Sequence, residues 1–224
     1  MQAACQIRCR VSSVYAFSVA GYFYFSEVFM KNTKVTLVPL TADDREQFIL
    51  DNQWAFKYGA LLEFGEHDDH IDDDGEIISR ETIEHCIDEP NNETYRIMLD
   101  GKKVGGVILK IDNATHHNHL EILFVLPDAH SKGIGYGAWQ AVETLHPETV
   151  IWETCTPYFE KRNIHFYVNK CGFHIVEFYN EFNIDPHTPK EDTYKNDGPD
   201  EMFRFEKTMK KFDPLHMSMK ISTQ

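Results

Sequence analysis

Three glycines, Gly133, Gly135 and Gly137, fall within the segment His130 to Gly137, directly after the apolar run Leu120 to Pro127. A strand that runs into a glycine-rich turn and then a helix presents free backbone N–H groups to an anion, and the helix end adds positive partial charge. Gly133 and Gly135 let the backbone approach a phosphate closely. The same pattern also serves as an ordinary strand-to-helix turn. Just upstream, His119 and Glu121 lie two apart on one strand, so both side chains point to one face. An imidazole beside a carboxylate can remove a proton near neutral pH.

Other constellations are weaker. His70, Asp72, Asp74, Gly75, Ile77 and Glu81 match positions of a calcium-binding loop, but its first position normally supplies Asp, and imidazole is a poor ligand for hard calcium. The acidic loop from Glu66 to Glu76 reads better as a solvated segment before a helix, or as the lining of an entrance that draws in a cation. His116, His117 and His119 lack a convergent carboxylate cluster, so no metal site is expected. Cys155 and Cys171 have no partner pattern for a thiol nucleophile and read as core.

The chain has 224 residues, enough for one full core with extensions. Its net charge of −14 makes nucleic acid and anionic membrane poor partners and favours a cationic acceptor molecule. The five cysteines are odd in number and scattered, which fits a reduced cytoplasmic protein. Arg8 and Arg10 precede the uncharged stretch Val11 to Ser26, laid out like a signal or anchor. That stretch is shorter than a spanning helix needs and is diluted by serines and Gly21. Residues 1–29 are therefore read as an N-terminal extension, 30–211 as the domain and 212–224 as a tail, with no membrane association expected.

The elements that must position these groups follow from periodicity. Strands are predicted at Lys34–Leu40, Tyr95–Leu99, Val104–Ile111, Leu120–Leu126, Val150–Cys155, His174–Phe182 and Met202–Thr208. Asp100-Gly101 marks a hairpin. Thr41 with Asp44 is a capping-box-like start for a helix through about Leu62. Ser79–Ile87 reads as a second helix. Ala138, Ala141, Val142 and Leu145 define a third, ended by His146-Pro147. Ile164, Tyr167, Val168 and Cys171 define a fourth, with Gly172 as its C-terminal cap. The central strand Leu120–Leu126 is apolar on both faces. Strand edges near Phe178 and Phe203 make a homodimer an open option.

Two stretches carry a resemblance to a known family. Val125-Leu126-Pro127-Asp128 with His130 to Gly135 resembles the acyl-CoA-binding signature of the GNAT acetyltransferase superfamily. Asn163-Ile164-His165-Phe166-Tyr167, followed by Lys170-Cys171-Gly172-Phe173, resembles its downstream helix motif. The resemblance covers roughly Lys34 to Lys210. His130 stands where the family usually has Gln or Arg, and Tyr167 to Gly172-Phe173 is one residue longer than usual.

The resemblance implies an α/β fold (α+β mixed sheet): about seven mostly antiparallel strands, helices on both faces, and a splayed parallel pair in the middle. It implies acetyl-CoA as co-substrate, its pantetheine arm paired with Leu123, Phe124 and Val125. The pyrophosphate would rest on Ser131, Lys132, Gly133, Ile134, Gly135 and Tyr136, with His130 and Asn163 completing the cofactor set. Acetyl transfer to a primary amine, by direct attack in a ternary complex, then needs a base and an acid. Glu121 ranks first as base, then Glu153 and His119, and Tyr167 is the acid toward the CoA sulfur. The acceptor is a small molecule or a protein or peptide amine. The reading from a different class is a non-catalytic acyl-CoA-binding sensor or scaffold.

Overall fold

The computed structural model describes residues 35–64, 76–130, 133–186 and 201–209. The N-terminal extension 1–29, most of the acidic loop with its calcium-like positions His70 to Gly75, Ser131, Lys132 and the tail lie outside the described residues. Along the chain come β1 (Val35–Pro39), α1 (Arg45–Phe64), α2 (Arg80–Asp88), β2 (Asn92–Leu99), β3 (Lys102–Lys110), β4 (His117–Val125), α3 (Ile134–Leu145), β5 (Ile151–Pro157), α4 (Lys161–His165), β6 (His174–Tyr179) and β7 (Met202–Thr208). The order strand, two helices, three strands, helix, strand, helix, two strands is the order the periodicity predicts.

The seven strands form one sheet in the order β1-β2-β3-β4-β5-β7-β6. Every neighbouring pair is antiparallel except β4 with β5. The β2–β3 turn takes left-handed dihedrals at Asp100 (φ 50°) and Gly101 (φ 76°), as a two-residue hairpin requires. Phe203 sits on β7, paired on both sides by β5 and β6, so it is not at an edge. Phe178, on β6, is.

Each sheet face has its own core. Val107, Leu109 and Leu120 pack with Trp139 and Val142 of α3, and with Trp152, Tyr167, Phe173 and Phe205. On the other face, Ile108, Ile122 and Phe124 pack with Phe48 and Ile49 of α1 and Ile83 of α2. Gly106 of β3 makes that approach feasible. A Cβ there would lie 2.3 Å from the Phe48 ring and 2.5 Å from the Phe124 ring.

The start of α1 departs from the expected capping box. Thr41 precedes a short 3-10 turn, Ala42–Asp44, and its side chain makes no capping hydrogen bond. The Asp44 carboxylate is taken instead by Arg96, buried on β2: Nε donates to Oδ2 at 2.8 Å and Nη2 to Oδ1 at 3.1 Å. Arg96 Nη1 donates to Asp51 of α1 at 2.7 Å, and the guanidinium lies 5.0 Å from the Phe48 ring centroid. Lys103 adds a second cation 2.7 Å from Asp44. One buried guanidinium thus fixes α1 to the sheet.

Removing one member of such a buried network strands its partners and costs about 3–5 kcal/mol. Arg96→Leu should therefore lower the urea midpoint by that equivalent, with the slope of the transition unchanged. An unshifted midpoint would show that α1 does not depend on this network.

Candidate active site

The site begins where β4 and β5 stop pairing. Their parallel register runs only through His117–Ile151, Asn118–Trp152 and His119–Glu153. The paired end is pinned by the buried Asn118, whose Nδ2 donates to Thr149 Oγ1 at 2.8 Å. One residue beyond the last pair, buried Thr154 Oγ1 donates to the Leu120 carbonyl at 2.9 Å. Past that bond β4 continues to Val125 with β3 on one side only.

A β-bulge lies at the same point. Ile108 of β3 opposes Ile122, but Leu109 opposes Leu120, so Glu121 is the extra residue. The bulge exchanges the faces of β4: Leu120 packs into the α3-side core, and Ile122 packs into the α1–α2 core. The predicted central strand is thus apolar on both faces because its register shifts midway.

His119 and Glu121 do share a face, with His119 Nδ1 3.3 Å from Glu121 Oε1. Burial raises the Glu121 pKa, but hydrogen bonding and attraction to His119, with the charges of Lys110 and His85, outweigh it and leave it below its ordinary value. Glu153 sits opposite His119 in the ladder, yet its carboxylate is occupied. Arg204 Nη1 donates to Glu153 Oε2 at 2.7 Å and to Glu206 Oε1 at 2.6 Å, while its Nε donates to Glu177 at 3.1 Å. The Glu153 carboxylate is held by that guanidinium, whereas Glu121 is paired with the His119 imidazole.

Tyr167 approaches from the α3 side. It is 9% exposed, its ring among Phe166, Phe173 and Phe205, with Thr154 as hydrogen-bonding neighbour. Burial pushes its phenol up to about 12. After α4 the helix widens into a π-helical turn, Phe166–Cys171, in which the Gly172 N–H bonds the Tyr167 carbonyl. A π-turn accommodates one extra residue. It thereby absorbs the longer spacing from Tyr167 to Gly172, and Gly172 closes the helix in the left-handed region at φ 80°.

The open side of β4 supplies main-chain groups. Leu126 N donates to Val104 O at 2.8 Å, so by antiparallel alternation Phe124 and Ile122 bond to β3. Leu123 and Val125 therefore turn their peptide groups toward the side β5 has left. Gly133, at φ 71°, starts α3, whose first N–H groups, on Ile134, Gly135 and Tyr136, lack intrahelical acceptors. A Cβ on Gly135 would meet the Phe166 ring at 3.4 Å, an ordinary van der Waals contact, so the start of α3 lies against the Tyr167 helix. Asn163 Nδ2 makes a long 3.4 Å bond to Thr156 Oγ1. Sequence reasoning missed Thr154, Arg204 and Tyr58. Each is one polar or aromatic residue in a regular element, which no spacing rule distinguishes.

The Acetyltransferase (GNAT) family model matches residues 51–173, more than half of the chain. Uncharacterized protein YrkN of Bacillus subtilis (strain 168) is 45% identical over 183 residues, covering 80% of this chain and 96% of that protein. The chain belongs to the GNAT acetyltransferase family. Among solved structures, the fold resembles the ribosomal-protein-S18-alanine N-acetyltransferase from Escherichia coli, with TM-score 0.55, 13% identity, and 80% and 97% of the two chains covered. It also resembles spermidine N-acetyltransferase from Vibrio cholerae in complex with CoA and spermine, with TM-score 0.53, 15% identity, and 80% and 97% covered. Among the described residues no helix is long and apolar enough to cross a membrane, and Cys86, Cys155 and Cys171 are free thiols.

Because the folded Glu121 pKa lies below its unfolded value of about 4.3, this carboxylate stabilises the fold above that pH, and the contribution is lost as pH falls through the lower folded value. Calorimetric melting from pH 7 to pH 3 should show Glu121→Gln less stable than the native protein at neutral pH, with the gap closing on acidification. A gap independent of pH would contradict the lowered Glu121 pKa.

Proposed function

We propose that the protein is an acetyl-CoA-dependent N-acetyltransferase that acetylates a primary amine, in a small molecule or a peptide, by direct attack in a ternary complex. The observation that carries this reading is the Glu121–His119 pair and the Tyr167 phenol converging, from opposite sheet faces, on the point where β4 and β5 part. Acetyl-CoA enters there. Leu123 and Val125 pair with its pantetheine arm, and the start of α3 holds its pyrophosphate.

Glu121, directly or through one water, takes the proton of the attacking amine. The amine nitrogen then bonds the thioester carbonyl carbon, and the C–S bond breaks with its electron pair on sulfur. Tyr167 donates its phenolic proton to that sulfur. The net charge of −14 favours a cationic acceptor, whose ammonium proton is the one that Glu121 takes; the second nitrogen proton leaves as the amide forms and returns the Tyr167 phenolate to the phenol through solvent.

The test is CoA release across a panel of primary amines, including polyamines, amino sugars and peptides. Tyr167→Phe should lower kcat far more than it weakens acetyl-CoA binding. Glu121→Gln should lower kcat about 10²–10⁴-fold and remove the acid-side limb that its lowered pKa sets in the pH–rate profile. Acetyl-CoA binding without CoA release on any amine would instead favour a non-catalytic acyl-CoA sensor.

A further inference from the structure

His130 opens the glycine-rich turn, and its ring is already engaged. Nε2 lies 2.8 Å from the carbonyl oxygen of Val125, five residues back at the end of β4. A carbonyl only accepts, so Nε2 carries the proton and the tautomer is set. The other side of the ring meets α1: the Tyr58 and His130 centroids are 5.6 Å apart at 66°, an edge-to-face pair. His130 therefore touches the end of β4, the entry to α3 and the helix that Arg96 anchors.

The carbonyl that it occupies belongs to the ligand-facing set. By the β3–β4 alternation, Leu123 and Val125 alone among residues 122–125 turn their peptide groups toward the open side. With one lone pair of Val125 O occupied and the His130 ring beside it, the strand offers an incoming amide chain the free N–H and C=O of Leu123 and the free N–H of Val125, with the Val125 carbonyl the poorer acceptor. An amide chain shifted by two residues would meet that half-occupied, crowded acceptor, so one register is favoured.

We infer that His130 is a positioning residue that fixes the register of the pantetheine arm by half-occupying the Val125 carbonyl, and that it ties this end of β4 to α1 through Tyr58. The inference rests on the acetyl-CoA reading of the cleft. It assigns His130 a main-chain partner within the protein and no contact with the phosphates.

The test is CoA binding by calorimetry to the full chain and to His130→Ala, His130→Gln and His130→Asn, each first checked for an unchanged melting temperature. A Gln amide nitrogen reaches as far as Nε2, whereas the Asn nitrogen is one bond shorter. His130→Ala should weaken CoA several-fold, because the strand end that the pantetheine arm pairs with loses its tie and must be ordered on binding. His130→Gln should recover most of that loss and His130→Asn should not. Equal CoA affinity in native protein and His130→Ala overturns the inference. So does equal behaviour of the Gln and Asn variants, which would make ring volume the relevant property. Nitrogen-15 NMR of the free protein provides a readout without ligand: His130 should be the Nε2–H tautomer with a slowly exchanging proton, and the other tautomer overturns the contact. A native protein that binds no CoA while its His130 shows that protected Nε2–H would overturn the acetyl-CoA reading, and the register role with it, while leaving the Val125 tie established.

Discussion

The site depends on an interrupted pairing. Two parallel strands in the middle of a sheet normally bond along their whole length, because an unpaired backbone group away from water costs as much as a lost hydrogen bond. Here β4 and β5 pair over three residues and then part. The parting is stable because three local devices act at one place. Asn118 locks the paired end to Thr149, Thr154 bridges to the last carbonyl before the gap, and the bulge at Glu121 turns β4 away while keeping it bonded to β3. The peptide groups left over on Leu123 and Val125 are then an asset to a ligand that brings its own amides.

Holding such a gap open requires rigid flanks. On one face the buried Arg96 pins α1 through Asp44 and Asp51. On the other, Lys207 of β7 bonds both Glu143 of α3 and the Cys171 carbonyl at the end of the π-turn, and its ammonium lies 5.7 Å from the Trp139 ring centroid. In both cases a long cationic side chain from a strand satisfies groups on the helices above it. Its stem supplies apolar contact while its head supplies charge. Neither arrangement is a surface salt bridge of negligible value, since Arg96 is 2% exposed and its partners are mostly covered.

Element order was legible because hydrophobic periodicity is a property of each segment by itself. So were the hairpin at Asp100-Gly101 and the cap at Gly172, where only certain residues tolerate positive φ. The His119–Glu121 pair was legible for a simpler reason: a strand places alternate residues on one face. Long-range pairing was not. Asp44 looked like a capping residue because nothing in Thr41-Ala42-Asp43-Asp44 announces an arginine 52 residues later on a neighbouring strand. Glu153 ranked second to Glu121 as a base, and nothing in the sequence showed that Arg204, 51 residues downstream, holds it. A carboxylate's partner is set by sheet order, and sheet order is what a single sequence encodes least directly.

The extra residue before Gly172 shows how local geometry can protect chemistry. In a regular helix an insertion rotates everything after it by about 100°, which would turn Tyr167 or Cys171 out of the core. The π-turn takes the insertion as a wider ring and restores the phase by the time Gly172 is reached. Cys171 stays 2% exposed and Phe173 fully buried, and the Tyr167 ring keeps contact with Phe173 and Phe205. At the end of the widened turn Lys207 bonds the Cys171 carbonyl, one of those that a helix end leaves without an intrahelical partner. Tyr167 therefore owes its place to β7 as much as to its own helix, which ties the acid side of the proposed reaction to the same strand that, through Arg204, neutralises Glu153 on the other face.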